Sequence, residues 1–255
     1  VSIDIWTKCD GVNQVKIIDV SAWRLESQEG TSTRKLVDSY EEQNILEKMI
    51  DDSRYLFINE EKLNFHPLLY TPFKDPPLKY GSRFGKNTEQ SLWYGSLDLA
   101  TAMAEKAFYQ FNFLRASEAK YDDIVQTSLI AFSVQVKTEK GIDLCANPFA
   151  VYTDFISSPD SYDASQALGS AMRKANIQAF IYKSARDKKD GANVALFTPE
   201  SFLHKKPEAA SFQSWLCVAT NELIEFISTS SNSLNRNSFN LNQFMIYGIL
   251  PFPSN

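Results

Sequence analysis

The chain has 255 residues, 44% of them hydrophobic and 22% charged, which suits a globular protein with one substantial core. Its net charge of −5 argues against a protein that coats nucleic acid, since the phosphate backbone is bound through Lys and Arg. Cys9, Cys145 and Cys217 are far apart with no CxxC, no stretch reaches the roughly 18 apolar residues of a membrane span, and "VSIDIWTKCDG" is not a signal peptide, so a reduced, cytoplasmic setting without membrane contact is expected.

In chain order, "DVSAWRL" (19–25) alternates as a first strand. "KLVDSYEEQNILEKMIDDS" (35–53) places Leu36, Tyr40, Leu46, Met49 and Ile50 near helical spacing. The segment 66–85, with four prolines and two glycines, predicts an extended, turn-rich stretch, and His66 falls in a loop. "SLWYGS" reads as a short buried strand, and 96–114 as a helix capped by Ser96 or Asp98. "TSLIAFSVQV" (127–136) is a strand, and 161–177 a helix led by Ser161 or Asp163. "QAFIYKSA" and "NVALFTP" are strands joined by a charged turn, and "SWLCVAT" and "ELIEFIS" form a hairpin about Asn221. The Asn/Ser-rich stretch 230–243 reads as loose. Helices lie between strands, yet several strands follow one another directly. That order predicts an α+β fold with a largely antiparallel sheet and flanking helices. It reads as one domain, 1–255, with an N-terminal extension (1–65), a core (66–229) and a loose C-terminal segment (230–255).

The chemistry is limited by what is missing. His66 and His204 are the only histidines and have no partner at metal-ligand spacing, so no metal site is expected. GxSxG, GxGxxG and GxxxxGK are absent. Glu105 would share a helix face with Thr101, Ala102, Phe108 and Tyr109, an uncharged surrounding that desolvates a carboxylate; the plainer reading is a rim acid paired to a cation. Arg83 lies in "GSRFG", where Gly81 and Gly85 would let a ligand approach the backbone and the guanidinium would suit a phosphate; it could equally tie down its loop. Tyr94, as an exposed ring at a strand end, could stack on a base, or be a core tyrosine. Ser184 and Asn193 flank the charged turn and could be turn residues. Together, an arginine, a ring, an acid and a hydroxyl suit cleavage of a bond whose leaving group needs no strong acid. The bond from ribose to the cationic nicotinamide of NAD is of that kind.

Several motifs resemble the RES family, bacterial toxins named after an Arg, a Glu and a Ser. They are "WRL" (23–25), "TRKLVDSYEEQNILEKMID", "LLYTPFKDPPLKYGSRFG", "LWYGSLDLATAMAEKAFY" and "IYKSARDKKDGANVALF", in the family's order. The resemblance implies a compact core related to ADP-ribosyltransferase toxins, with NAD consumed as substrate and no permanently bound cofactor. The ADP-ribose acceptor would be water, phosphate or a protein such as phosphoribosyl-pyrophosphate synthetase. It implies a partner antitoxin with a helix-turn-helix domain, and no direct nucleic-acid binding by this chain. By position, Arg83, Glu105 and Ser184 would be the catalytic residues and Tyr94 the aromatic of the cleft. Tyr80, Asn193, Arg24 and Arg186 are further NAD-binding candidates. Lys183 stands where many members have Pro, which puts the setting of Ser184 in question.

Overall fold

A computed structural model describes residues 3–28, 65–77, 79–116, 124–229 and 235–252. The expected helix at 35–53 lies outside the described residues. Five α-helices and eight strands, taken in chain order, build the described part of the fold. Helix α1 (Ile5–Lys8) is capped by Asp4, whose carboxylate accepts from the Thr7 N–H. Strand β1 (Lys16–Ser27) extends the predicted 19–25 at both ends. Helix α2 (Pro67–Lys74) corrects the expectation that 66–85 is extended. His66 is its N-cap, with Nδ1 accepting from the Leu68 N–H, and Pro67 occupies the first turn, where no N–H is needed. Only residues beyond 75 form the turn-rich stretch.

Strand β2 (Trp93–Ser96) leads into helix α3 (Leu99–Ala116). The helix buries Ala102, Met103, Ala107, Phe108, Phe111 and Leu114, a stripe at helical spacing. Ser96 does not cap it, because its hydroxyl is used inside the sheet. Strand β3 (Val125–Asp143) is 19 residues long. Helix α4 (Thr153–Ile156) and helix α5 (Asp163–Lys174) follow. Then come β4 (Ala179–Lys183), β5 (Ala192–Leu196), β6 (Gln213–Ala219), β7 (Leu223–Ser228) and β8 (Arg236–Asn240). Strand β8, and the 3-10 turn Leu241–Gln243 with its reciprocal Asn240–Gln243 cap, correct the expectation of a loose tail. Strand β1 pairs with β3 over eleven residue pairs.

The sheet runs β1-β2-β5-β4-β3-β6-β7-β8, and β1 also pairs with β3. Five strands therefore close into a ring, β1-β2-β5-β4-β3, from which β6, β7 and β8 extend as an open arm. Every pairing is antiparallel except the short β3–β4 contact, so the fold is α+β with a largely antiparallel sheet. The β1–β2 side of the ring has a single ladder pair, Trp23 opposite Ser96.

Side-chain alternation sorts the residues of the ring. Ile18, Ala22, Trp93, Phe132, Val134, Ala179, Val194 and Leu196 form one buried cluster drawn from all five ring strands, and α2 packs on it through Leu69 and Phe73. The opposite face carries two clusters. One, under α3 and the open arm, includes Leu25, Met103, Phe108, Trp215 and Phe244. The other, under α5, includes Phe84, Leu168, Met172, Phe180 and Tyr182.

Candidate active site

Residues of the outer ring face converge where α3 passes over β5. Ser96 and Asn193 are register partners in the β2–β5 ladder, so their side chains share a face. The Ser96 hydroxyl donates to Asn193 Oδ1 at 2.6 Å, which fixes the amide so that Nδ2 points at α3. There it donates to Glu105 Oε1 at 2.7 Å. Ser184, at the end of β4, donates its hydroxyl to the same oxygen at 2.7 Å. Ser184 Oγ also accepts the N–H groups of Arg186 and Asp187, each at 3.1 Å. One turn earlier on α3, Thr101 donates to Asp187 Oδ2 at 2.7 Å. Two rungs, four residues apart on one helix face, thus bolt α3 to the turn after β4. Lys183 does not disturb Ser184: it continues the β4–β5 ladder opposite Ala192 and reaches out to Asp190.

Arg83 approaches from the turn 80–85. It is buried at 6% exposure, donates through Nη1 to the Ser158 carbonyl at 2.7 Å, and lies 4.8 Å over the Tyr162 ring. The glycines of this turn serve its own closure rather than a ligand. Gly81 has φ +69°, and a Cβ there would come within 2.3 Å of the Gly85 carbonyl oxygen. The Gln166 amide, buried on α5, donates to the Tyr80 and Ser82 carbonyls and pins the turn from below. Gly169, one turn along α5, allows the Phe84 carbonyl to sit where a Cβ would be 2.0 Å away.

Tyr94 is half-buried, not an exposed ring. Its hydroxyl shares a hydrogen bond with Ser82 Oγ at 2.9 Å and accepts from the Phe84 N–H at 3.2 Å. Burial, partly offset by those bonds, pushes the phenol up to about 12. Arg186 is buried at 5% exposure and stacks on Phe108, its Cζ 3.4 Å from the ring centroid. Burial, then the neighbouring Arg83, hold its guanidinium below the usual arginine range.

Two candidates fall outside this cluster. Arg24 alternates with Trp23, which shares a face with Ser96, so Arg24 lies on the other side of the sheet. There it stacks on Trp93, donates to the Tyr94 carbonyl and pairs with Glu26. The Tyr80 ring is exposed and meets Phe252 edge-on at 6.2 Å; it is the Tyr80 carbonyl that serves the turn. Among the described residues, no three His, Cys, Asp or Glu side chains come together as a metal-binding group, and no helix is long and apolar enough to cross a membrane.

Sequence reasoning missed Ser96, Gln166 and Thr101. Each has a small signal: Gln166 is a polar residue on the buried stripe of α5, Thr101 lies four residues before Glu105, and Ser96 is a polar residue closing a buried strand. The segments that meet at Glu105 hold two of the motifs, those at 92–109 and 181–197. A family model described as the RES domain matches residues 61–216, more than half of the chain. The chain belongs to the RES-domain family. The match begins after β1, yet that strand completes the ring that carries the Glu105 cluster. A solved structure, the crystal structure of the M. tuberculosis MbcT–MbcA toxin–antitoxin complex, is similar at 11% identity, covering 85% of this chain and 92% of that chain with a TM-score of 0.46. A comparison with curated protein sequences gives no match.

Proposed function

We propose that this RES protein is a toxin that consumes NAD by breaking the bond between nicotinamide and ribose. The bonding pair leaves with the nicotinamide nitrogen, which becomes neutral, and the ribosyl carbon is left as an oxocarbenium-like cation. Glu105 stabilises that cation and orients the ribose hydroxyls. Ser184 and Asn193 act as positioning residues: both donate to Oε1, which fixes the carboxylate and leaves Oε2 for the sugar. Arg83 binds the phosphates from its buried turn. Tyr94 holds that turn, so its part is to place Arg83. Water or inorganic phosphate then captures the ribosyl cation, with loss of one proton from the nucleophile. The same reading implies a neutralising antitoxin with a helix-turn-helix domain.

The observation that supports this reading is the single carboxylate oxygen reached by donors 79 and 88 residues away in sequence, with no cation in ion-pair contact among the described residues. A rim acid of the structural kind would be paired to a Lys or Arg instead. Glu105→Gln tests it. The amide oxygen can still accept from Ser184 and Asn193, so folding is retained. Nicotinamide release should fall about 10²-fold or more, as expected when an electrostatic stabiliser worth several kcal/mol is neutralised. Full activity in a folded variant would reject the assignment. Product analysis of the wild type separates the acceptors: ADP-ribose for water, ADP-ribose-1″-phosphate for phosphate, and a labelled protein for transfer to a target such as phosphoribosyl-pyrophosphate synthetase.

A further inference from the structure

Each donor to Glu105 is itself held by a neighbour. Ser96 fixes the Asn193 amide. Ser184 is held differently. A serine hydroxyl has one proton and two acceptor positions. The Arg186 and Asp187 N–H groups fill both acceptor positions of Ser184. Its proton is left for Glu105 Oε1. The aim of that proton therefore depends on where the turn after β4 puts its N–H groups. Asp187 sets the turn with its side chain: Oδ1 accepts from the Lys189 N–H at 2.9 Å and Oδ2 from the Thr101 hydroxyl at 2.7 Å. Thr101 is 1% exposed and stands on α3, so the bonds leave the helix at residue 101 and return to it at 105. Gly191 leaves room for this path. A Cβ there would lie 2.1 Å from Thr101 Oγ1 and 2.4 Å from Asp187 Oδ2. Its φ is not positive, so space rather than conformation calls for glycine. Its carbonyl accepts the Ser184 N–H at 2.8 Å, which ties the serine from the other side.

We propose that Thr101, Asp187 and Gly191 are positioning residues for the reaction at Glu105, acting only through Ser184. Together they keep the Ser184 lone pairs occupied and its proton directed at the carboxylate, so that Ser184 orients the acid and does not attack the ribose. The proposal rests on the NAD reading for the reaction, and on the hydrogen bonds alone for the coupling.

Thr101→Val removes the hydroxyl and keeps the branched shape. In it, kcat for nicotinamide release should fall about tenfold or more with KM for NAD unchanged, since only the aim of the acid is lost. Thr101→Ser restores the donor and should restore most of kcat. In a Ser184→Ala background, adding Thr101→Val should lower kcat no further, because the path it feeds is already cut. A residue that only holds the fold would instead slow both backgrounds alike. Unchanged kcat in Thr101→Val, no rescue by Thr101→Ser, or equal losses in both backgrounds overturns the proposal. Thermal melting reads the coupling without NAD. Thr101→Val and Ser184→Ala together should lower Tm by less than the sum of their separate shifts, and additive shifts overturn the coupling. Coupled shifts in a protein that releases no nicotinamide would support the coupling and refute the NAD reading. Should Thr101→Val fail to fold, Asp187→Asn serves in its place. The amide has one oxygen for two donors, so the same fall in kcat is expected, and its absence overturns the proposal.

Discussion

Tyr94 shows how a single side chain can change its expected part. In sequence it is an aromatic at the end of a short strand, available for stacking. In the structure its hydroxyl bonds to Ser82 and accepts from the Phe84 N–H, on either side of Arg83. Tyr94→Phe should therefore cost about 1–3 kcal/mol at neutral pH, because a backbone donor next to a buried arginine loses its acceptor; urea unfolding measures it. The pH dependence carries a sign. The unfolded phenol titrates near its ordinary value of 10 and the folded one at about 12, so between these values the folded state holds more protons. Stability from Tyr94 is fully present below pH 10 and declines as pH rises toward 12. The variant should lack that part of the alkaline decline. Nothing in the chain's local pattern announces this bond, since the partners are ten and twelve residues upstream across a turn.

At the scale of elements, α3 and α5 grip the site from two sides. The apolar stripe of α3 was readable from Ala102 to Leu114, and so was the uncharged neighbourhood of Glu105. The grip of α5 was not. Its Gln166 and Gly169 look like ordinary helix residues, and their meaning appears only when the helix meets the turn 80–85. Gly169→Ala is expected to improve helix propensity yet destabilise the protein by about 1–3 kcal/mol, since the added methyl meets the Phe84 carbonyl rather than a flexible side chain. Thermal melting checks the stability, and nicotinamide release should fall with it as Arg83 is displaced. The helix α2 was missed for a related reason. Four prolines argue against regular structure, but Pro67 sits where helices accept one, and His66 supplies the cap.

For the whole molecule, the mixed order of strands and helices predicted the α+β class, but not ring closure. Closure depends on β1 meeting both β2 and β3, contacts that no local period encodes. The same holds for the C-terminal stretch. Its Asn and Ser content reads as loose, whereas Phe244 and Leu250 are buried in the cluster beneath α3 and β8 lengthens the sheet. Phe244→Ala should thus cost about 3–5 kcal/mol, the range for a truncated core phenylalanine, measured by chemical unfolding. A loose tail would instead leave stability unchanged within about 0.5 kcal/mol.

The ring's joint between β1 and β2 is one rung wide, and that rung ends in Ser96. By contrast β1 lies against β3 over eleven rungs. Ser96 thus stands at a junction: on one side it is the β2 residue laddered to β1, and on the other, through the β2–β5 pairing, it fixes the Asn193 amide that bonds Glu105. The rung that shuts the barrel and the hydroxyl that sets the acid belong to one small residue, so any replacement of it touches both.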